Sequence, residues 1–478
     1  MGQEIIKRIL GFSMATWINA IITFIATPIV TCLFPPEELG KVNLFISYIN
    51  ILIPFVYLGF DQAFARFYHE PPLNYDSYSV GKSCYICSGI MFVIVSAVVL
   101  SFGGFFSIEI VGMESLGVVI SIVMFIFGTF SLRFTMLNSR MENSIITYTI
   151  QSVLLTLITQ LSFIVVVLKK PIATYAIEFR AACLFFVAVV FLIKFFIAGK
   201  KSPIIRNKAI IKDLSIYAIP LFPTVFLAGL NISLSQLMLS RFQNYAMVGV
   251  FSNGVTIASI IAVVQSGLNI FWAPFVYEYY KTEQQRLQKL HHIISFLMIC
   301  FGLLMVLFQK PIYMVLVNPQ YWESRQIFAL LVISPVCVTI SETLGVGIDL
   351  SKKTYLKIPV YVICVVVNFA LCLLLIPKFE IVGAAFAVAI SSLVMLLTKA
   401  RLGEKFYRCS DNHLKLILGL IDLVIVAIIN VVVVGIIKYV IVLVALIICI
   451  IIYRDEAIIM VSELKKILLG NVRMKQKH

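Results

Sequence analysis

The sequence predicts an all-α polytopic membrane protein, and two observations carry that prediction. Of 478 residues, 61% are hydrophobic and only 13% are charged, with a mean hydropathy of +1.03. A soluble domain of this length carries roughly a quarter charged residues. Apolar stretches of about 20 residues, enough to cross a hydrocarbon core of about 30 Å, recur along the whole chain. A transmembrane barrel would show short alternating segments instead.

Fourteen spans are expected, near 9–34, 41–60, 83–102, 116–137, 145–168, 172–197, 214–240, 246–275, 291–308, 326–347, 356–376, 380–400, 415–435 and 438–453. The last two form one apolar tract broken near Gly435 and Lys438. The longest polar interruptions are 61–82, 198–213, 276–290 and 401–414, too short for a soluble domain with its own core. The first span is too long for a signal-peptide core and lacks a small-residue cleavage pattern, so it is expected to be retained.

Lys and Arg set the orientation. They gather at the N-terminus, in 61–82, at Arg133 and Arg140, in 194–212, 281–289, 352–357 and 399–415, and in the C-terminal tail. These segments share one side, so both termini are expected in the cytoplasm. The net charge of +15 is therefore mostly a topology signal and does not point to nucleic acid. The stretches "KKSPIIRNK" and "NVRMKQKH" suit a weak attraction to anionic membrane lipids.

Two distant segments end alike: "GFDQAFARFYHE" from residue 59 and "GLNIFWAPFVYE" from residue 267. Sliding the chain by 208 residues superposes Phe34 on Phe242, Gly59 on Gly267, Ala65 on Ala273, Phe67 on Phe275 and Glu70 on Glu278. Both segments close the second helix of a six-helix set. Six is even, so the two sets share one orientation, as in a parallel repeat about an axis along the membrane normal. The expected organisation is a six-helix lobe over 1–199, a basic cytoplasmic linker over 200–213, a second six-helix lobe over 214–405, and two further transmembrane helices with a basic tail over 406–478.

A cleft between two such lobes opens to either side as they rock. Its expected polar lining includes Asn19 in span one, Asn231 and Ser235 in span seven, and Gln265 and Asn269 in span eight. Asn231 and Ser235 are four apart and share a helix face. Such residues also serve as contacts between packed helices.

Three stretches then carry a resemblance. They are "TPIVTCLFPPEELGKVNLFISYINILIPFVYLGFDQAFARFY", "YAIPLFPTVFLAGLNISLSQLMLSRFQNYAMVGVFSNGVTIASII" and "SKKTYLKIPVYVICVVVNFALCLLLIPKFEIVGAAFAVAISSLV". In this order and spacing, over roughly 1–405, the chain resembles the Wzx-type polysaccharide-biosynthesis flippases. These form a branch of the multidrug/oligosaccharidyl-lipid/polysaccharide exporter superfamily, whose MATE-like fold the resemblance implies. It also implies a bacterial plasma-membrane protein that moves polyprenyl-pyrophosphate-linked oligosaccharide repeat units for O-antigen, capsule or exopolysaccharide. A polysaccharide polymerase and a chain-length regulator are the further partners it suggests.

Such a cargo makes a physical demand. The polyprenyl tail can stay in lipid, but stranding polar groups in hydrocarbon without hydrogen bonds costs several kcal/mol each. A hydrated cleft with cationic side chains lowers that barrier, and Arg donates two hydrogen bonds at once to a phosphate. The candidate substrate-binding residues are Arg66, Arg133, Arg180 and Arg241; Asp61, Glu178 and Glu342 are candidates for ion coupling. Glu342 sits one position from the repeat equivalent of Arg133. Asp61 and Arg66 become Asn269 and Pro274 in the second lobe, so the repeat keeps these charges on one side only. Asp422 lies outside the duplicated core and is expected to be a structural contact.

Other chemistry has little support. Cys84 and Cys87 form a C-x-x-C with no second pair and no nearby His, so no metal site is expected. The sequence contains no P-loop, which leaves an ion gradient, a partner or the substrate's own gradient as energy source. No cofactor and no catalytic residue are expected. Two alternatives stand beside the flippase reading. One is a same-fold exporter of another substrate, such as a drug/cation antiporter or a cell-wall lipid precursor flippase; an antiporter would favour acidic lumen residues, whereas Arg predominates here. The other is a membrane oligosaccharide polymerase, which should carry a sizeable outer loop.

Overall fold

The computed structural model describes residues 2–72, 74–167, 170–433 and 435–462, with side chains for all of these except 2–13, 167, 262, 266, 267, 269–271, 273, 274 and 354. Among the described residues there are helices and connections and no strand. The protein is a multi-pass α-helical membrane protein.

Helix α1 (Gly2–Leu33) hands over to α2 (Pro36–Tyr57) at a proline pair. Pro36 starts α2, where the missing N–H is no loss, and Glu37 and Glu38 occupy the first turn, the favourable end of the dipole for an acid. Leu58 and Gly59 then take left-handed conformations, with φ of 42° and 81°. They end α2 and start α3 (Phe60–Phe67) in a new direction. Helices α4 (Ser77–Ser101), α5 (Gly103–Val111), α6 (Leu116–Met141), α7 (Ile145–Val167) and α8 (Ala173–Ala198) complete the first six spans. Side chains cap several of them, as Asp76 does for α4 and Ser115 for α6; each satisfies orphan N–H groups.

The second half begins with α9 (Lys208–Ala218) and α10 (Phe222–Phe242). Next come α11 (Tyr245–Ala258) and α12 (Ile261–Tyr279), one expected span broken at Ser259 and Ile260. Helices α13 (Gln284–Leu307), α14 (Gln309–Leu316), α15 (Ser324–Leu344) and α16 (Val346–Leu350) lead to α17 (Lys357–Glu404), and α18 (His413–Val432) and α19 (Ile437–Ile452) close the chain.

Among the described residues, eleven helices are individually long and apolar enough to cross a membrane, or twelve if α19 is joined to Arg454–Ser462 across its 85° bend. Fourteen spans were expected, and two features account for the difference. At 48 residues, α17 would be roughly 70 Å long if straight. Instead Glu380 leaves helical geometry (φ 49°, ψ −125°), and a Cβ on Gly383 would stand 2.5 Å from the backbone of Leu375. Residues eight apart touch only if the chain turns back, so α17 holds both expected spans, 356–376 and 380–400. The other feature is the α11/α12 break, which leaves α11 too short to count alone.

The chain gathers into two compact units. The first holds residues up to Asn253 together with Met314–Ser324 and Lys357–Ala387; the second holds Gly254–Tyr313, Arg325–Leu356 and Val388 onward. In the first, α6 packs along α8, α1 along α7, and α2 along α10. Glycines make three close approaches: α2 to α11 at Gly40, α2 to α10 at Gly229, and the α2/α3 turn to α9 at Gly59. An added Cβ would lie 1.8 Å from Tyr245 O at Gly40, 2.6 Å from Asn50 O at Gly229, and 2.2 Å from Ala218 O at Gly59. In the second unit α13, α18 and α19 pack together, and α15 is largely buried.

Candidate functional site: two ion pairs of opposite exposure

The motif "GFDQAFARF" builds the first pair. Two left-handed residues in succession suit glycine at the second, and Gly59 is needed twice, since the Ala218 backbone also leaves no room for a side chain. The break places Asp61 in the first turn of α3. There its Oδ2 accepts hydrogen bonds from Arg133 Nε (3.2 Å) and Nη2 (3.1 Å) on α6, and from Gln62 Nε2 (2.9 Å). Arg133 is fixed by its neighbours. Phe130 and Phe134 pack with Tyr85 of α4, whose hydroxyl meets Ser131 Oγ at 2.9 Å, and Phe64 of α3 stacks on Phe134. The aromatic cluster thus clamps α3, α4 and α6 around one guanidinium.

Exposure within this pair is uneven. The Asp61 side chain is 7% exposed and that of Arg133 45%. A guanidinium facing hydrocarbon is costly, so its open face suits a watery space or an anion. The carboxylate holds one edge and leaves the rest of the planar fork for a second acceptor.

The second unit contains a counterpart with the roles exchanged. Lys399 Nζ lies 2.7 Å from Glu342 Oε1, and here the cation is 6% exposed and the acid 38%. Glycines again make the approach: Lys399 lies against Gly345, and Gly347 and Gly403 bring α16 and the end of α17 into backbone contact. Sequence reasoning had placed Lys399 among the positive loop residues and missed its part in this pair.

The other expected site residues lie elsewhere. Arg180 is buried between α7 and α8; it donates to Thr159 O (2.5 Å) and Ser162 Oγ (3.2 Å) and stacks over Phe163. Glu178 has a carboxylate oxygen against Gly117 in the first turn of α6, favourable at a helix N-terminus. Arg66 makes an exposed pair with Glu70 (2.7 Å) and Arg241 one with Glu109 (3.4 Å). Asn19 donates to Ser152 Oγ (2.7 Å). Asn231 Oδ1 accepts from Asn368 of α17 (3.0 Å), and Ser235 reaches Asn368 Oδ1 at 3.4 Å, so this polar face joins two packed helices. Gln265 is half-buried on α12. The side chain of Asn269 lies outside the described residues. Among the described residues no group of three His, Cys, Asp or Glu could hold a metal ion.

Comparison with known proteins extends the picture. A family model described as "Polysaccharide biosynthesis protein" matches residues 5–270, more than half of the chain. The capsular polysaccharide biosynthesis protein CapF of Staphylococcus aureus is 23% identical over 198 residues, covering 40% of this chain and 50% of that protein. The chain thus spans about half the length of this curated relative. The solved lipid II flippase MurJ in an inward closed conformation is similar over 95% of this chain and 99% of its own, with a TM-score of 0.64 at 16% identity. The MATE multidrug transporter DinF-BH is similar over 85% and 96%, with a TM-score of 0.62 at 14% identity. At such identities these two likenesses show the fold, two pseudo-symmetric six-helix bundles, here followed by the additional helices α18 and α19.

Proposed function

We propose a function from one premise: the chain belongs to the polysaccharide biosynthesis protein family. Its task is to carry a lipid-linked oligosaccharide, the polyprenyl-pyrophosphate-bearing repeat unit of a capsule, O-antigen or exopolysaccharide, between leaflets of the bacterial plasma membrane. The observation that carries this reading is the half-exposed Arg133 guanidinium held by buried Asp61. A pyrophosphate presents oxygens that match a planar fork, and it is the part of the cargo that hydrocarbon excludes most strongly.

The movement is alternating access between lobes 1–199 and 214–405. Glycine contacts hold α2 against α11 at Gly40 and against α10 at Gly229, and the α2/α3 turn against α9 at Gly59. Opening a path between these helices means parting these contacts and also drawing the Phe55 ring away from Phe222 and Phe226. The breaks at Leu58 and Gly59 and at Ser259 and Ile260 are where α2/α3 and α11/α12 can absorb the change in angle. Glu342, half-exposed beside Lys399, is the acid best placed to exchange a coupling ion. Both termini face the cytoplasm, and the polymer-forming enzymes act after release.

The test is genetic and chemical. Cells lacking this protein should accumulate complete lipid-linked repeats on the inner leaflet, and the intact gene should restore polymer. Outward-facing single repeats without polymer would instead indicate a polymerase.

A further inference from the structure

The first unit holds a polar cavity that no step above uses. It has a volume of about 220 Å³ and is enclosed by the start of α4, the end of α6, the start of α7 and the end of α8. The Lys and Arg bias puts that end of the bundle on the cytoplasmic side. Two amide side chains line it, Asn138 at 6% and Gln151 at 1% exposure. Neither Asn138 Oδ1 nor Gln151 Oε1 has a hydrogen-bond partner among the described residues. Leaving such groups unmet costs about 1–3 kcal/mol each; both oxygens lie just beneath the cavity wall without accessible surface of their own, so a ligand pairs with them once the amides turn toward it.

The other lining groups describe the visitor. Phe191 offers apolar ring surface, Phe195 is only 4% exposed and packs on Tyr78, and the Tyr78 hydroxyl donates to Glu142. Lys194 and Ala198 stand exposed at the rim. The volume falls below the ~300–1,000 Å³ of drug-sized sites. Buried acceptors that lack donors, an aromatic face for C–H groups and a one-ring volume together describe a pyranose.

We propose that this cavity is a cytoplasmic-side binding site for a single sugar residue, whose hydroxyls donate to Asn138 and Gln151 while its ring lies against Phe191. The site is separate from the Arg133/Asp61 pair, and its occupancy does not depend on translocation. The sugar is either a soluble saccharide or the terminal residue of a lipid-linked repeat; both present the same chemistry.

The experiment uses the full chain in lipid nanodiscs, because maltoside detergents carry sugars. Saturation-transfer NMR with a panel of methyl glycosides (neutral hexosides, N-acetylhexosaminides and hexuronides) is expected to show binding of at least one. Ala198→Trp, which plugs the rim without touching the amides, and the Asn138→Leu/Gln151→Leu pair should each weaken that binding at least tenfold. The plug keeps the test valid if the double variant fails to fold. Competition by a lipid-linked repeat supports the site and assigns it to cargo; binding of the free glycoside without such competition supports it and assigns it to a soluble sugar. If no glycoside binds, or if binding persists in the plugged variant, the cavity holds only water or ions and the proposal is overturned. Loss of binding in Ala198→Trp with flipping retained would separate this site from the transport reading.

Discussion

The two ion pairs differ in which partner is hidden, and the difference shows how one duplicated fold can present two chemistries. In the first unit Asp61 is buried and Arg133 is half open; in the second Lys399 is buried and Glu342 is half open. Each unit thus covers one charge and offers the other. The first offers a cation and the second an anion. Both rely on glycines for the close approach, Gly59 in one and Gly345, Gly347 and Gly403 in the other. The repeat supplies the framework, and the identity of the covered residue sets the sign of what is displayed.

The largest effect expected from breaking this comparison is on stability. Glu342→Ala strands the buried Lys399 ammonium and should cost about 3 kcal/mol, the low end for a broken buried pair because Glu342 is itself partly exposed. Asp61→Ala leaves Arg133 free to hydrate and should cost less than half as much. Thermal unfolding of the two variants in matched nanodiscs checks the order; equal losses would mean that the exposure difference has no energetic content.

Next in size is the turn that places Asp61. Gly59→Ala puts a side chain at φ 81° and against the Ala218 carbonyl, and should cost about 2 kcal/mol. The same change at Gly267, its repeat equivalent, tests whether the second repeat makes the same demand. A smaller effect is expected of Arg133→Lys, which keeps the charge and loses the planar fork. Flipping should fall about tenfold, equivalent to about 1.4 kcal/mol, with little change in melting temperature. Smallest is Arg66→Ala. It removes an exposed pair with Glu70 worth about 0–1 kcal/mol, and both stability and flipping should stay near those of the parent.

Much of the helical framework was legible because it depends on local composition. Runs of apolar residues marked the spans, and the gap expected between 356–376 and 380–400 falls where Glu380 leaves helical geometry. The repeat was legible too, but its breaks are not equivalent. The first falls at Leu58 and Gly59, whereas the second falls at Ser259 and Ile260 rather than at Gly267. Neither Pro nor Gly occupies 259–260, so that break had no local signature.

The site was legible only as a set of residue types. Asp61 and Arg133 were each singled out, but they are 72 residues apart and nothing local pairs them. Glu342 and Lys399, 57 apart, were read separately for the same reason. Arg180 shows the converse. Its sequence setting suggested an intramembrane cation for cargo, while the fold turns it into the α7/α8 hairpin, onto a carbonyl and a phenyl ring. Burial direction is a tertiary property, and on a helix surrounded by apolar residues the sequence does not reveal which face is turned inward.

The central claim is that Arg133, displayed by Asp61, receives the anionic head of the cargo. Reconstituted protein with a fluorescent lipid-linked oligosaccharide tests it most directly, comparing Arg133→Gln with the parent at equal folded fraction. The account predicts at least a tenfold loss of flipping, and less loss for a cargo lacking the pyrophosphate. Parental rates for Arg133→Gln with the pyrophosphate-linked cargo would contradict it.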